Sequence, residues 1–110
     1  MEIEGVKKDK AFVVKLKGRM DAVGTPEFDK KCGDWLGQGE KNMVVDFSEL
    51  EYISSIGLRS ILVLGKRIKV EHGKLHLCGM NKAVGGVFQM SGFAAIFPIF
   101  DSLGPALEKI

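Results

Sequence analysis

Two adjacent serines, Ser54 and Ser55, stand in the segment DFSELEYISSIGLRSIL at 46–62, just before a long stretch of helical periodicity. The pattern places a strand end at Asp46 and Phe47, a loop over Ser48 to Tyr52, and a helix start at Ile53, Ser54 and Ser55. Either hydroxyl then lies at a helix N-terminus, where unpaired backbone N–H groups and the positive end of the dipole favour an acceptor or an anion. Gly57, on the first turn, removes side-chain bulk beside that hydroxyl. Three chemistries suit such a serine. It can cap the helix and do nothing more. It can carry a phosphate, whose charge of about −1.5 to −2 the helix end tolerates but an apposed protein surface without a cation does not. A penalty of about 3 kcal/mol would weaken docking more than a hundredfold. It can also act as a nucleophile, but His72 and His76 fall at the far end of the helix and in the next strand, and the GxSxG elbow is absent.

Other polar residues offer less. Asp46 could serve a magnesium site, yet a lone carboxylate at a strand end more commonly caps a turn, so no metal or other cofactor is expected. Cys32 and Cys78 are distant in sequence, each set among apolar residues, with no CxxC or histidine pattern; buried thiols in a reducing compartment are the reading. Sixteen basic against fourteen acidic residues give a net charge of +2, no footprint for nucleic acid. Lys7, Lys8 and Lys10 read as a polar strand end and turn. No window approaches the ~20 apolar residues of a bilayer span, and the start MEIEGVKKDKAF lacks a leader pattern. A cytoplasmic protein without membrane insertion is expected. Met80 and Met90 read as packing residues. Phe93, Phe97 and Phe100 read as core, with a weak homodimer surface as the alternative.

The elements that must position the serines follow from period and punctuation. Residues 2–7 and 11–17 alternate and pair as a hairpin turning at Lys8, Asp9 and Lys10, the second strand ending at Gly18. Thr25, Pro26 and Glu27 open a helix with Thr25 as its cap, and Phe28, Cys32, Trp35 and Leu36 form its apolar stripe. Asn42 to Phe47 reads as a strand covered on both faces. Leu58, Ile61, Leu62 and Ile68 carry the long helix, which Gly73 closes as a left-handed C′ residue. Lys74 to Cys78 is a strand, Asn81 caps a short helix with Val84, Val87 and Phe88 inward, Phe93 to Phe100 is a last strand region, and Ser102 caps a closing helix. The fold class is therefore α/β: one domain over 1–110, with a mixed sheet of four to five strands, an antiparallel N-terminal hairpin joined to parallel strands, and four helices packed on it.

The run DFSELEYISSIGLRSIL resembles the signature of the STAS domain, shared by bacterial anti-sigma factor antagonists and the cytoplasmic tails of sulfate transporters. GRMDAVGTPEF at 18–28 and GKLHLCGMNKAVGGVFQMSGFAAIFPIFDSLGPAL at 73–107 are similar to the flanking family segments. The resemblance implies a phosphorylated serine at Ser55, with Ser54 as a rival acceptor because Asp often precedes the acceptor in this family. It implies a partner-contacting acid at Asp21, and a partner surface of Asp21, Ser54, Ser55, Ile56, Gly57 and Arg59. It further implies a non-enzymatic partner-switching cycle, in which the unphosphorylated protein binds an anti-sigma factor that is also a serine kinase, is phosphorylated and released, and is reset by a serine phosphatase. ATP would belong to the kinase. A STAS scaffold or accessory subunit of a transport or signalling complex, with Ser55 only a cap, is the alternative.

Overall fold

The computed structural model of the chain describes residues 1–110. Its elements are β1 (Glu2–Lys8), β2 (Ala11–Met20), α1 (Thr25–Gly37), β3 (Asn42–Ile53), α2 (Ser55–Val70), β4 (Lys74–Cys78), α3 (Lys82–Met90), a 3-10 turn (Phe93–Ala95), β5 (Ile99–Phe100) and α4 (Leu103–Glu108). The five strands form one sheet in the order β1-β2-β3-β4-β5, with β1 antiparallel to β2 and every later neighbour parallel. This is the mixed sheet expected from the sequence, with five strands rather than four.

Alternation divides the strand residues between two faces. Val14 and Leu16, Met43 and Val45, and Leu75 and Leu77 meet Phe28, Cys32, Ile61, Leu64, Ile68, Val84 and Phe88 from α1, α2 and α3 in the main core. Ala11, Val44 and Cys78 face the other way, against Ala106 of α4. Phe28, Phe47 and Phe88 are fully buried, each contributing about 1.5–3 kcal/mol of transfer free energy. Phe47 meets Phe88 edge-on at 5.7 Å, an arrangement that joins β3 to α3.

Several local expectations are corrected. Gly18 does not end its strand: it takes φ +103° at a register shift, and β2 runs on to Met20. Residues Ser48 to Tyr52 are not a loop but the second half of β3, in which Glu49, Leu50 and Tyr52 pair with Lys17, Gly18 and Arg19. The left-handed residue after α2 is His72, at φ +61°, not Gly73. Gly73 is required for space instead, since a Cβ there would sit 1.9 Å from the Lys41 carbonyl oxygen. Thr25 does not cap α1, whose N-cap is Gly24; its hydroxyl donates to the Asp21 carbonyl at 2.6 Å. The Phe93–Phe100 region is mostly the 3-10 turn, and only Ile99 and Phe100 pair with β4. Ser102 takes the N-cap position of α4 without a side-chain bond, whereas Asn81 caps α3 by accepting the Val84 N–H at 2.8 Å. Phe97 is buried, and Phe93 packs edge-on between Phe88 and Phe97, so these rings belong to the core side of the alternative.

Candidate functional site

β2 and β3 are parallel and end together, with Met20 in register with Ile53. The C-terminal ends of parallel strands are where open α/β sheets collect functional loops, because the helices that follow turn away there and leave their N-termini exposed. Here two such junctions lie side by side: β2 leads through Asp21 into α1, and β3 leads through Ser54 into α2.

Ser54 makes the second junction. Its backbone is extended (φ −86°, ψ 172°), and its hydroxyl oxygen accepts the Gly57 N–H at 3.2 Å as the N-cap of α2. Its own N–H donates to the Met20 carbonyl at 2.9 Å, and its carbonyl accepts the Leu58 N–H at 2.9 Å. The hydroxyl oxygen, the N–H and the carbonyl of Ser54 are therefore each engaged as part of the junction. Ser55 is the first helical residue; its side chain is exposed and makes no hydrogen bond. The amides of Ser55 and Ile56 have no carbonyl one turn back within the helix, which leaves partial positive charge beside the free hydroxyl.

Asp21 makes the first junction. One carboxylate oxygen accepts the N–H groups of Val23 and Gly24, both at 3.1 Å, while its carbonyl accepts from Thr25. The Gly24 N–H holds its carboxyl below the ordinary aspartate value, against a smaller opposing effect of desolvation; the Val23 N–H and the Arg19 charge act in the same lowering direction. Asp21 thus stays ionised and fixes the loop that starts α1.

The other residues divide cleanly. Ile56 and Arg59 are exposed on α2 beside Ser55, Ile56 at 50%. Gly57 is buried and offers no surface: a Cβ there would meet Met20 Cγ at 2.8 Å and Ile53 Cγ1 at 3.0 Å, so it lets α2 close onto the strand ends. Val23 at 89% and Tyr52 at 41% exposure add apolar surface at the same end of the sheet, with the Arg19 guanidinium 4.3 Å above the Tyr52 ring. The sequence assigns Tyr52 no such role, because Ser48 to Tyr52 read as a loop and only the pairing with β2 makes them strand.

Other candidates lie elsewhere. His76 is buried in β4 with Nδ1 at 3.0 Å from the Ala106 carbonyl, and His72 is a whole α2 length from Ser55, about 24 Å. Asp46 accepts the Ser48 N–H at 2.9 Å and so caps its own strand bulge. Cys32 and Cys78 are buried, and burial, with Asp29 and Asp46 respectively adding to it, pushes each thiol up to about 12. No helix is long and apolar enough to cross a membrane.

A family model for the STAS domain matches residues 2–106. The chain belongs to the STAS domain family. Among curated relatives of this STAS chain, BtrV of Bordetella bronchiseptica, named as a candidate anti-sigma factor antagonist, is 32% identical over 93% of this chain and 88% of its own. A crystal structure from Thermotoga maritima, described in the same terms, superposes with a TM-score of 0.94 at 22% identity, over 98% of this chain and 93% of that one. The Bacillus cell fate determinant SpoIIAA in its phosphorylated form superposes with a TM-score of 0.78 at 18% identity, over 98% of each chain. The family match spans all five strands and α1 to α3, and ends within α4.

Proposed function

We propose that this STAS protein is an anti-sigma factor antagonist that acts in the cytoplasm as a binding partner and not as a catalyst. In its unphosphorylated form it binds an anti-sigma factor that is also a serine kinase; that kinase phosphorylates Ser55 with ATP, the two proteins part, and a serine phosphatase resets the cycle. The observation that carries this reading is the contrast between the two serines: Ser54 is spent on the helix cap, while the Ser55 hydroxyl is exposed, unbonded and set on the first turn of α2.

The geometry supports a switch because the fold itself has little to lose. A phosphate on Ser55 meets the positive end of a 16-residue helix and free amides, so the folded state accepts it. A partner seated over Ile56, Tyr52 and Val23 would have to bury that dianion, at a cost of several kcal/mol. The same sheet end holds the ionised Asp21, which would present a fixed negative charge to the partner.

The test is phosphorylation of purified protein by the anti-sigma factor kinase of its host with ATP, followed by intact mass and fragment analysis. One phosphate should be added, on Ser55, and lost in Ser55→Ala; phosphate retained by that variant would move the assignment or remove it. Ser55→Asp should fold yet fail to bind the kinase.

A further inference from the structure

Between α1 and α2 runs an open groove of about 410 Å³. Its α2 wall is a row made by Ile56, Ser60, Val63 and Arg67, spaced at i, i+4, i+7 and i+11, with Arg59 alongside. At about 1.5 Å per residue the row extends roughly 16 Å, from the neighbour of Ser55 to the last turn of α2. Ile56 and Val63 are 50% and 47% exposed on it, although both are large and apolar.

The chain has three arginines, and none is in an ion pair; all five ion pairs are made by lysines. Arg19 lies over Tyr52, and the other two, Arg59 and Arg67, line this groove. Arg67 is given a seat: its guanidinium lies over α1 at Gly33, where a Cβ would come within 3.2 Å of Nη1. Glycine inside a helix costs about 1 kcal/mol relative to alanine, and at Gly33 that cost makes room for the guanidinium. Asp29 is the one carboxylate on the groove and pairs with neither arginine, so the groove keeps an excess of positive charge. Weakly hydrated, planar guanidinium groups flanking an apolar strip suit carboxylates and buried apolar anchors together.

We infer that the α1–α2 groove is the seat of an acidic amphipathic segment of the same partner that meets Ser55, its apolar side chains lying on Ile56 and Val63 and its carboxylates on Arg59 and Arg67. This rests on the reading of Ser55 as the switch, and it extends that switch along α2. A phosphate on Ser55 stands at the head of the groove, where it repels the incoming carboxylates within a Debye length of about 8 Å. Arg59 follows Ser55 by one helical turn, the i,i+4 spacing at which a guanidinium reaches a negative group. Phosphorylation therefore both adds repulsion and draws one guanidinium away from the partner.

The experiment measures binding of unphosphorylated protein to the kinase that labels Ser55, at 50 and 200 mM salt, for wild type, Arg67→Glu, Val63→Asp and the control Lys66→Glu, whose side chain lines a different groove beside Phe97. Arg67→Glu and Val63→Asp should each weaken binding at least tenfold, Lys66→Glu by less than twofold, and wild type should lose more affinity with salt than Arg67→Glu. Circular dichroism melts check that the variants fold, and amide shifts of Val63 and Arg67 in the wild-type protein on adding kinase give the same answer without mutation. Binding within twofold for both groove variants, or unmoved Val63 and Arg67 amides, overturns the inference, while loss of binding in Ser55→Asp would still uphold the switch. Unchanged binding by Ser55→Asp would sink the switch itself. A wild-type dimer in sedimentation that Arg67→Glu dissociates would give the groove to a second copy and overturn the assignment.

Discussion

The Ser54 N–H donates to the Met20 carbonyl at 2.9 Å, and this bond ties the last residue of β2 to the cap of α2. Asp21 follows Met20 and Ser55 follows Ser54, so one backbone hydrogen bond sets the spacing between the fixed carboxylate and the free hydroxyl. The relation between these two side chains is inherited from sheet register and does not depend on a flexible loop.

The two serines should separate in stability and in labelling. Ser54→Ala removes the acceptor for the Gly57 N–H and should lower stability by about 1 kcal/mol, yet still be phosphorylated. Ser55→Ala should melt within experimental error of wild type and take no phosphate. Chemical denaturation beside a kinase assay reads both, and labelling of Ser55→Ala with loss of label in Ser54→Ala would reverse the assignment.

Gly57→Ala should destabilise by about 1–3 kcal/mol, because the new methyl crowds Met20 and Ile53. Gly73→Ala should be worse, since the group it meets is the Lys41 backbone oxygen at 1.9 Å, which cannot rotate aside. Urea midpoints of the two variants give the order; a Gly73→Ala protein as stable as wild type would contradict the close approach of α2's exit to the start of β3.

Asp21 should titrate below 3.8, its ordinary value here, because the Gly24 N–H stabilises the carboxylate. A carboxyl depressed in the folded state contributes stability that is present above its unfolded value and lost as pH falls through the folded one. The difference in melting temperature between wild type and Asp21→Ala should therefore shrink as pH drops below 3.8. Carbon NMR of the Asp21 carboxyl measures the midpoint, and a value at or above 3.8 would remove this account.

Both thiols should be silent in the folded protein. Cys32 is 1% exposed and Cys78 fully buried, with each pushed from 9.0 up to about 12. Ellman's reagent at pH 8 should react only at the rate of global or local opening, and completely in denaturant. The linkage sign is opposite to that of Asp21: the neutral thiol is favoured when folded, so stability is intact below pH 9 and declines as pH rises from 9 toward 12. Prompt reaction of one thiol in native buffer would show that its burial is not maintained in solution.

Much of this was legible in the sequence because burial and period coincide. Phe28, Cys32 and Leu36, and Leu58, Ile61 and Ile68, are buried as their spacing requires, and Asn81 caps its helix as its side chain allows. The misreadings share a physical cause: a local signal was outweighed by a partner distant in sequence. Glu49, Leu50 and Glu51 look like a polar loop, yet pairing with the end of β2 makes them strand. Gly73 looks like a left-handed stop, yet Lys41 presses on it and His72 takes the positive φ. As helix caps Ser54 and Ser55 are interchangeable in the sequence, where only the family resemblance favours Ser55 as acceptor; the Gly57 N–H assigns the cap to Ser54. Arg59 belongs to the partner surface that the family resemblance implies, whereas the seat of Arg67 on Gly33 needs α1 in place.

The order of strands across the sheet is the order in which they are synthesised. Each newly emerging strand finds its neighbour already made, and the sheet can lengthen at one margin during translation, which proceeds at about 5–20 residues per second. The N-terminal hairpin, the most local pairing, supplies the template, and β5 with α4 arrives last to close the second face over Val44 and Cys78. Until then those side chains stay wet, so a chain ending before β5 would leave Val44 and Cys78 uncovered on the reverse face of the sheet.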